Sequence, residues 1–136
     1  SMWHHAESCY NRELKWMDVL KDFDRVPTLR GAIHKDMMVV MDYMGEPLTK
    51  ENVPSDWREQ VQYIVQGLKG YGCAHNDIKP ADLGGKINLI DFGWALGSDE
   101  EVPKSWPHCL GEEFRLGVHD FDDEYSLIKS IGSVTR

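Results

Sequence analysis

Between residues 6 and 22, apolar side chains recur three or four positions apart, at Tyr10, Leu14, Met17 and Leu20. That spacing predicts an amphipathic helix with one buried face. Arg25-Val26-Pro27 ends it, because proline disfavours helical backbone in the residue before it. Residues 28–34 then read as a strand, Lys35-Asp36 as a tight turn and residues 37–43 as a second strand. The second run is apolar from Met37 through Met41, so it is expected to be covered on both faces. Gly45-Glu46-Pro47 breaks it. Ser55 is a good N-cap for a helix reaching about residue 68, with Trp57, Val61, Ile64, Val65 and Leu68 on one face. Gly70-Tyr71-Gly72 stops that helix. Gly84-Gly85 predicts a hairpin turn, followed by a strand over residues 86–90. Residues 97–120 have little periodicity and contain Pro103, Pro107, Gly111 and Gly117. A loop that long in a small domain is usually functional or mobile. Asp122 or Asp123 can cap a last helix through residue 131, with Tyr125, Leu127, Ile128 and Ile131 as its apolar positions.

At 136 residues the chain has the length of one domain. It carries 15 basic and 23 acidic residues, a net charge of −8, and no stretch supplies the basic face that phosphate-backbone binding needs. The same deficit argues against anionic membrane surfaces. No apolar run approaches the ~18 residues of a membrane span. Ser1-Met2-Trp3-His4-His5 lacks the basic flank and apolar stretch of a signal peptide, and Ser1 reads as an added residue. Cys9, Cys73 and Cys109 are odd in number and far apart, with no CxxC pair. Neither a disulfide framework nor a zinc ribbon is implied, and a cytoplasmic location is expected.

The candidate chemistry lies in His75-Asn76-Asp77-Ile78-Lys79-Pro80-Ala81-Asp82, followed after the Gly-Gly turn by Ile90-Asp91-Phe92-Gly93. These segments resemble the catalytic loop (H-R-D-x-K-P-x-N) and the metal-binding D-F-G of the protein-kinase-like fold. His75, Asp77, Lys79 and Pro80 match the first, and Asp91-Phe92-Gly93 matches the second in full. The resemblance implies transfer of the γ-phosphoryl of ATP to a hydroxyl with Mg²⁺. Phosphoryl transfer needs carboxylates for the metal, a cation for the migrating charge and a group that orients the nucleophile. Asp77 is placed to accept the hydroxyl proton and Lys79 to contact the γ-phosphate. Asp91 would be the main metal ligand. Asp82 stands where the family usually has Asn, and its carboxylate is also a hard oxygen ligand.

The flanking segments extend the resemblance. Helix 6–22, with Glu13, looks like the kinase helix that carries the Glu partner of the ATP-binding Lys. Residues 39–48 look like the strand and hinge that hold adenine, with Met41 as gatekeeper and the backbone of Asp42 and Met44 on the adenine edge. Asp123 would brace the catalytic loop, and Met17, His75 and Phe92 would stack as an internal spine. The expected architecture is α+β: a reduced small lobe and hinge over 6–44, one helix and two strands, on a minimal helical large lobe over 45–136.

The sequence departs from the family where the Gly-rich loop and its following Lys strand have no counterpart, and no Lys lies upstream of Glu13. Gly84 replaces the apolar residue that commonly floors the adenine pocket. No APE-like segment follows Asp91-Phe92-Gly93, so a small-molecule or glycan acceptor is expected rather than a protein. A missing roof implies an exposed apolar edge on the small lobe, and with it a homodimer or partner protein. The alternative to an enzyme is a pseudokinase-like module that binds nucleotide or a partner without turnover.

Other groups have blander readings. His4 and His5 are expected to be solvated. Cys73 and His75 could join His108 and Cys109 around zinc, but read better as a small buried residue and a packed ring. Trp57 reads as a core anchor, and Trp94 as either packed or facing the acceptor. Asp99-Glu100-Glu101 and Glu112-Glu113 read as solvated, or as favouring a cationic acceptor such as an amino sugar. Trp106 and Phe114 are expected to pin the loop rather than stack on a sugar.

Overall fold

A computed structural model describes residues 2–101 and 122–135. Among the described residues the chain is α+β, with three α-helices and three small antiparallel sheets. The expectations for Trp106, His108, Cys109, Glu112, Glu113 and Phe114 lie outside the described residues, as do those for the His4 and His5 side chains.

Helix α1 (Met2–Val19) buries Tyr10, Trp16 and Met17, and Leu20 is buried just beyond its end. Trp16 belongs to this face although the spacing of its neighbours did not call for it. Leu14 is only half-buried. Strands β1 (Leu29–Ile33) and β2 (Met38–Met41) form a hairpin around a short 3-10 turn, His34–Asp36. Tyr10 and His34 Nδ1 lie 2.7 Å apart in a hydrogen bond that ties α1 to the hairpin.

The hairpin corrects one expectation. Strand β2 is not covered on both faces: Met38 is 51% and Val40 45% exposed. An apolar run implies two-sided burial only inside a larger sheet, and this sheet has two strands. Ile33 pairs with Met38, so Ile33, Met38 and Val40 share the open face.

Strand β3 (Glu46–Pro47) was read as a break, yet it pairs with β5 (Pro80–Leu83), which pairs in turn with β6 (Lys86–Leu89). Gly84 and Gly85 close the β5–β6 hairpin with φ of 59° and 88°, the left-handed pair that a two-residue turn requires. A third small sheet joins β4 (Cys73–Ala74) to β7 (Leu96–Gly97). Helix α2 (Trp57–Gly70) buries Trp57, Val61, Ile64, Val65 and Leu68 as its spacing predicts. Its N-cap is Asp56 rather than Ser55, and the Asp56 carboxylate accepts from Gln60 at 2.8 Å instead of capping the backbone. Helix α3 (Asp123–Val134) is capped by Asp122, whose side chain accepts from the Tyr125 amide. Leu127 and Ile131 are buried there, whereas Ile128 faces solvent.

Gln60 organises the join between α2 and the β5–β6 hairpin. Its side-chain oxygen accepts from Arg25 Nη1 at 2.7 Å and from the Ile87 amide at 2.8 Å. Its amide donates to the Gly85 carbonyl at 2.8 Å. The network satisfies both polar atoms of the Gln60 side chain, while Arg25 enters it through Nη1 and leaves its buried Nε without a hydrogen bond.

Gly67 shows how tightly α2 meets the end of α1. A Cβ at this position would lie 2.3 Å from Phe23 Cζ, so the ring rests directly on the helix backbone. Gly67→Ala must push Phe23 away from Tyr63 and Tyr71, its ring neighbours. The expected loss is about 3 kcal/mol, at the upper end for overpacking. Chemical denaturation of Gly67→Ala beside Phe23→Ala and the double variant checks it, since relief of the clash makes the double less destabilised than the sum.

Candidate functional site

The site grows from the chain between β4 and β6. His75 is fully buried, and both ring nitrogens are engaged: Nε2 donates to the Ile90 carbonyl (2.7 Å) and Nδ1 accepts from the Asp77 amide (3.1 Å). That assigns a neutral imidazole protonated at Nε2. Its ring meets Phe92 at a centroid distance of 4.6 Å. His75 is thus a packed ring with no lone pair to spare for zinc. Cys73 is buried, and burial pushes its thiol well above the ordinary range. Met17 is buried as expected.

Asp123, the first residue of α3, accepts from the backbone amides of His75 (2.6 Å) and Asn76 (2.9 Å). This is the brace expected of it. Asn76 adopts φ 72°, a left-handed conformation that Asn tolerates better than most residues. Asp91 has φ 64°. Left-handed backbone at two such residues, close to the candidate acids, is strain of the kind that surrounding structure must hold in place.

These constraints bring Asp77, Lys79 and Asp91 together. Lys79 Nζ lies 3.0 Å from Asp91 Oδ2 and 3.4 Å from Asp77 Oδ2. Burial alone would lower the Lys79 pKa, but the hydrogen bond and charge of Asp91, with the charge of Asp77, outweigh it and hold the amine protonated. The Asp77 side chain is 16% exposed and that of Asp91 40%, so the second carboxylate is the more open of the two.

A cavity of about 470 Å³ opens beside Asp91, lined by Glu13, Met41, Asp42, Tyr43, Met44, Ile90 and Asp91. Five of the eight residues singled out from sequence therefore share one wall. Glu13 has its pKa raised, first by burial and then by the charge of Asp91, with Lys79 partly opposing. Among the described residues Glu13 makes no ion pair. The Asp42 amide is taken by the Thr28 carbonyl at 3.0 Å, and its carboxylate by an exposed fork from Arg30 at 2.7 and 2.8 Å. The Met44 amide has no acceptor among the described residues.

No family model matches this chain, and no curated protein matches it. The site therefore rests on its own geometry.

Gly84 and Asp82 do not line this cavity. Gly84 sits at the hairpin tip with open space in front of its α-carbon, and is no part of the cavity wall. Asp82 lies on β5 opposite Glu46 and Ile87, and its Oδ1 is buried without a hydrogen-bond partner. Among the described residues no three His, Cys, Asp or Glu side chains gather closely enough to hold a metal ion. An ion here needs ligands beyond these described side chains, as Mg²⁺ commonly takes from phosphates and water. Asp91 lines the cavity with its carboxylate half-open, whereas Asp82 does not line it.

Sequence reasoning passed over Arg12, Asn76 and Cys9. Asn76 departs from the Arg of the motif, and its tolerance of left-handed backbone was the one available signal. For Arg12 and Cys9 there was none, because their partners lie some eighty residues away.

Proposed function

We propose that this protein is an ATP- and Mg²⁺-dependent phosphotransferase that moves the γ-phosphoryl group to a hydroxyl, on a small molecule or glycan rather than on a protein. The observation that carries the reading is the meeting of Asp77, Lys79 and Asp91 at the edge of a cavity walled by Glu13, Met41, Asp42 and Met44. The same arrangement supports a reduced protein-kinase-like fold, with the 42–44 segment on the adenine edge through the Met44 amide.

In this reading Asp91, with Asp82 as second carboxylate, would hold a magnesium ion, which would supply the positive charge that offsets the phosphates. Asp77 orients the acceptor hydroxyl and takes its proton. Its backbone is fixed by His75 Nδ1, so the carboxylate keeps its aim. Lys79 begins paired to both carboxylates and is placed to follow the negative charge as it develops on the transferred group. Met41 and Ile90 supply apolar walls for a base. Among the described residues no helix is long and apolar enough to cross a membrane. The excess of acidic residues disfavours nucleic acid as acceptor.

A second reading, a nucleotide- or partner-binding module without turnover, is favoured by Glu13, which makes no ion pair among the described residues. Thermal denaturation with ATP, with Mg²⁺ and with both separates the two. The enzyme reading expects stabilisation by the pair together, worth about 2–3 kcal/mol at 100-fold excess over Kd. Asp91→Ala abolishes it. Unchanged melting with the pair, and no ADP formed with any sugar or amino-sugar acceptor, overturns the enzyme reading.

A further inference from the structure

Two hydrogen bonds hold consecutive carbonyls just after Asp91. Arg12 Nε, on α1, donates to the Gly93 carbonyl at 2.7 Å. Asn76 Nδ2, from the opposite side, donates to the Trp94 carbonyl at 2.9 Å. The Arg12 guanidinium also lies 5.7 Å from the centre of the Trp94 ring. One turn earlier on the same helix, Cys9 seats so closely on Gly93 that a Cβ there would stand 3.0 Å from its own. Helix α1 thus meets the loop with a charged donor and a close steric seat. Between this grip and strand β6, Asp91 is turned to φ 64°.

We infer that Arg12 is a positioning residue: by holding the Gly93 carbonyl and the Trp94 ring it fixes the turned-in backbone of Asp91, so that binding of a magnesium–nucleotide depends on helix α1. This deepens the functional reading above and rests on it. A charge-assisted bond to a carbonyl is stronger than a neutral one. A guanidinium can donate from Nε while its plane lies near an aromatic ring, which an ammonium cannot copy. Among the described residues Glu13 makes no ion pair that would tie the helix to the site, whereas Arg12, its neighbour in sequence, makes a direct tie.

The test uses the full chain with Arg12→Gln and Arg12→Lys. The first readout needs no ligand. The Ala95 amide bonds to the Phe92 carbonyl within the held turn, and the Leu89 amide bonds to the Arg25 carbonyl outside it. Arg12→Gln is expected to speed amide hydrogen exchange at Ala95 by roughly tenfold while leaving Leu89 unchanged. Unchanged exchange at Ala95 overturns the inference. The second readout is the affinity for adenylyl imidodiphosphate with and without Mg²⁺. Arg12→Gln should lose about tenfold of the magnesium-dependent gain, keep its metal-free affinity within about twofold, and add nothing further in an Asp91→Asn background. Arg12→Lys, which keeps the charge but not the geometry, should recover only part of the gain. Equal losses with and without metal, or full additivity with Asp91→Asn, mean a merely structural role and overturn it. A wild-type protein whose nucleotide affinity is indifferent to Mg²⁺ overturns the functional reading instead, and the exchange at Ala95 then still decides whether Arg12 holds the loop.

Discussion

On the phosphotransferase reading proposed above, Asp77→Asn is expected to lower the rate of phosphoryl transfer by about 10²–10⁴-fold, the range for removing a positioned general base. The nearly isosteric amide leaves the fold alone, because the contact that shapes this turn comes from the Asp77 backbone: its amide donates to His75 Nδ1. Lys79 keeps its shorter contact, 3.0 Å to Asp91, and loses only the longer one at 3.4 Å. Asp77 is absent from the wall of the cavity beside Asp91, so affinity for magnesium–nucleotide should change by no more than about twofold. Single-turnover transfer, measured beside calorimetric binding of a non-hydrolysable analogue, reads the two effects separately. A rate within tenfold of wild type removes Asp77 from the chemistry. A large loss of affinity instead places it in binding.

The contrast between Asp77 and Arg12 marks what could be read from the chain. Asp77 and Asp91 were legible because the Gly84-Gly85 turn folds β6 back along β5, which converts a separation of 14 residues into spatial proximity. Helix α2 was legible because five buried apolar positions, Trp57, Val61, Ile64, Val65 and Leu68, repeat with the helical period. Pairings of two residues, such as β3 with β5 or β4 with β7, leave no period to detect. The exposure of Met38 and Val40 was illegible for another reason. An apolar run states what a strand can bury, while the number of neighbouring strands decides what it does bury. Gln60 looked like one polar residue on a helix, yet it joins three segments at once. Its partners Arg25 and Gly85 are fixed by tertiary structure, which local spacing does not encode.

Gly45 provides the sharpest structural prediction. Its φ is +106°, and a Cβ at this position would stand 2.1 Å from the Asp82 carbonyl oxygen and 2.5 Å from its carbon. The obstacle is backbone, so no side-chain rotation relieves it. Gly45→Ala must spread β3 from β5, breaking the pairings Glu46–Asp82 and Pro47–Ala81. Gly84→Ala is the matched control. Its φ is +59° and a Cβ there meets nothing within 4 Å, so it bears the left-handed penalty alone, about 1–2 kcal/mol. Gly45→Ala adds the clash and the lost pairing, for a total of about 3–5 kcal/mol. In a chain of this size that lowers Tm by roughly 10–20 °C, against about 5 °C for Gly84→Ala. Because Met44 and Asp82 flank this crossing, nucleotide affinity should fall in Gly45→Ala even at temperatures where it remains folded. Calorimetry of the two variants decides the matter: equal Tm values mean that the chain can part at 45 without cost, and the close packing of β3 on Asp82 would then play no part in shaping the site.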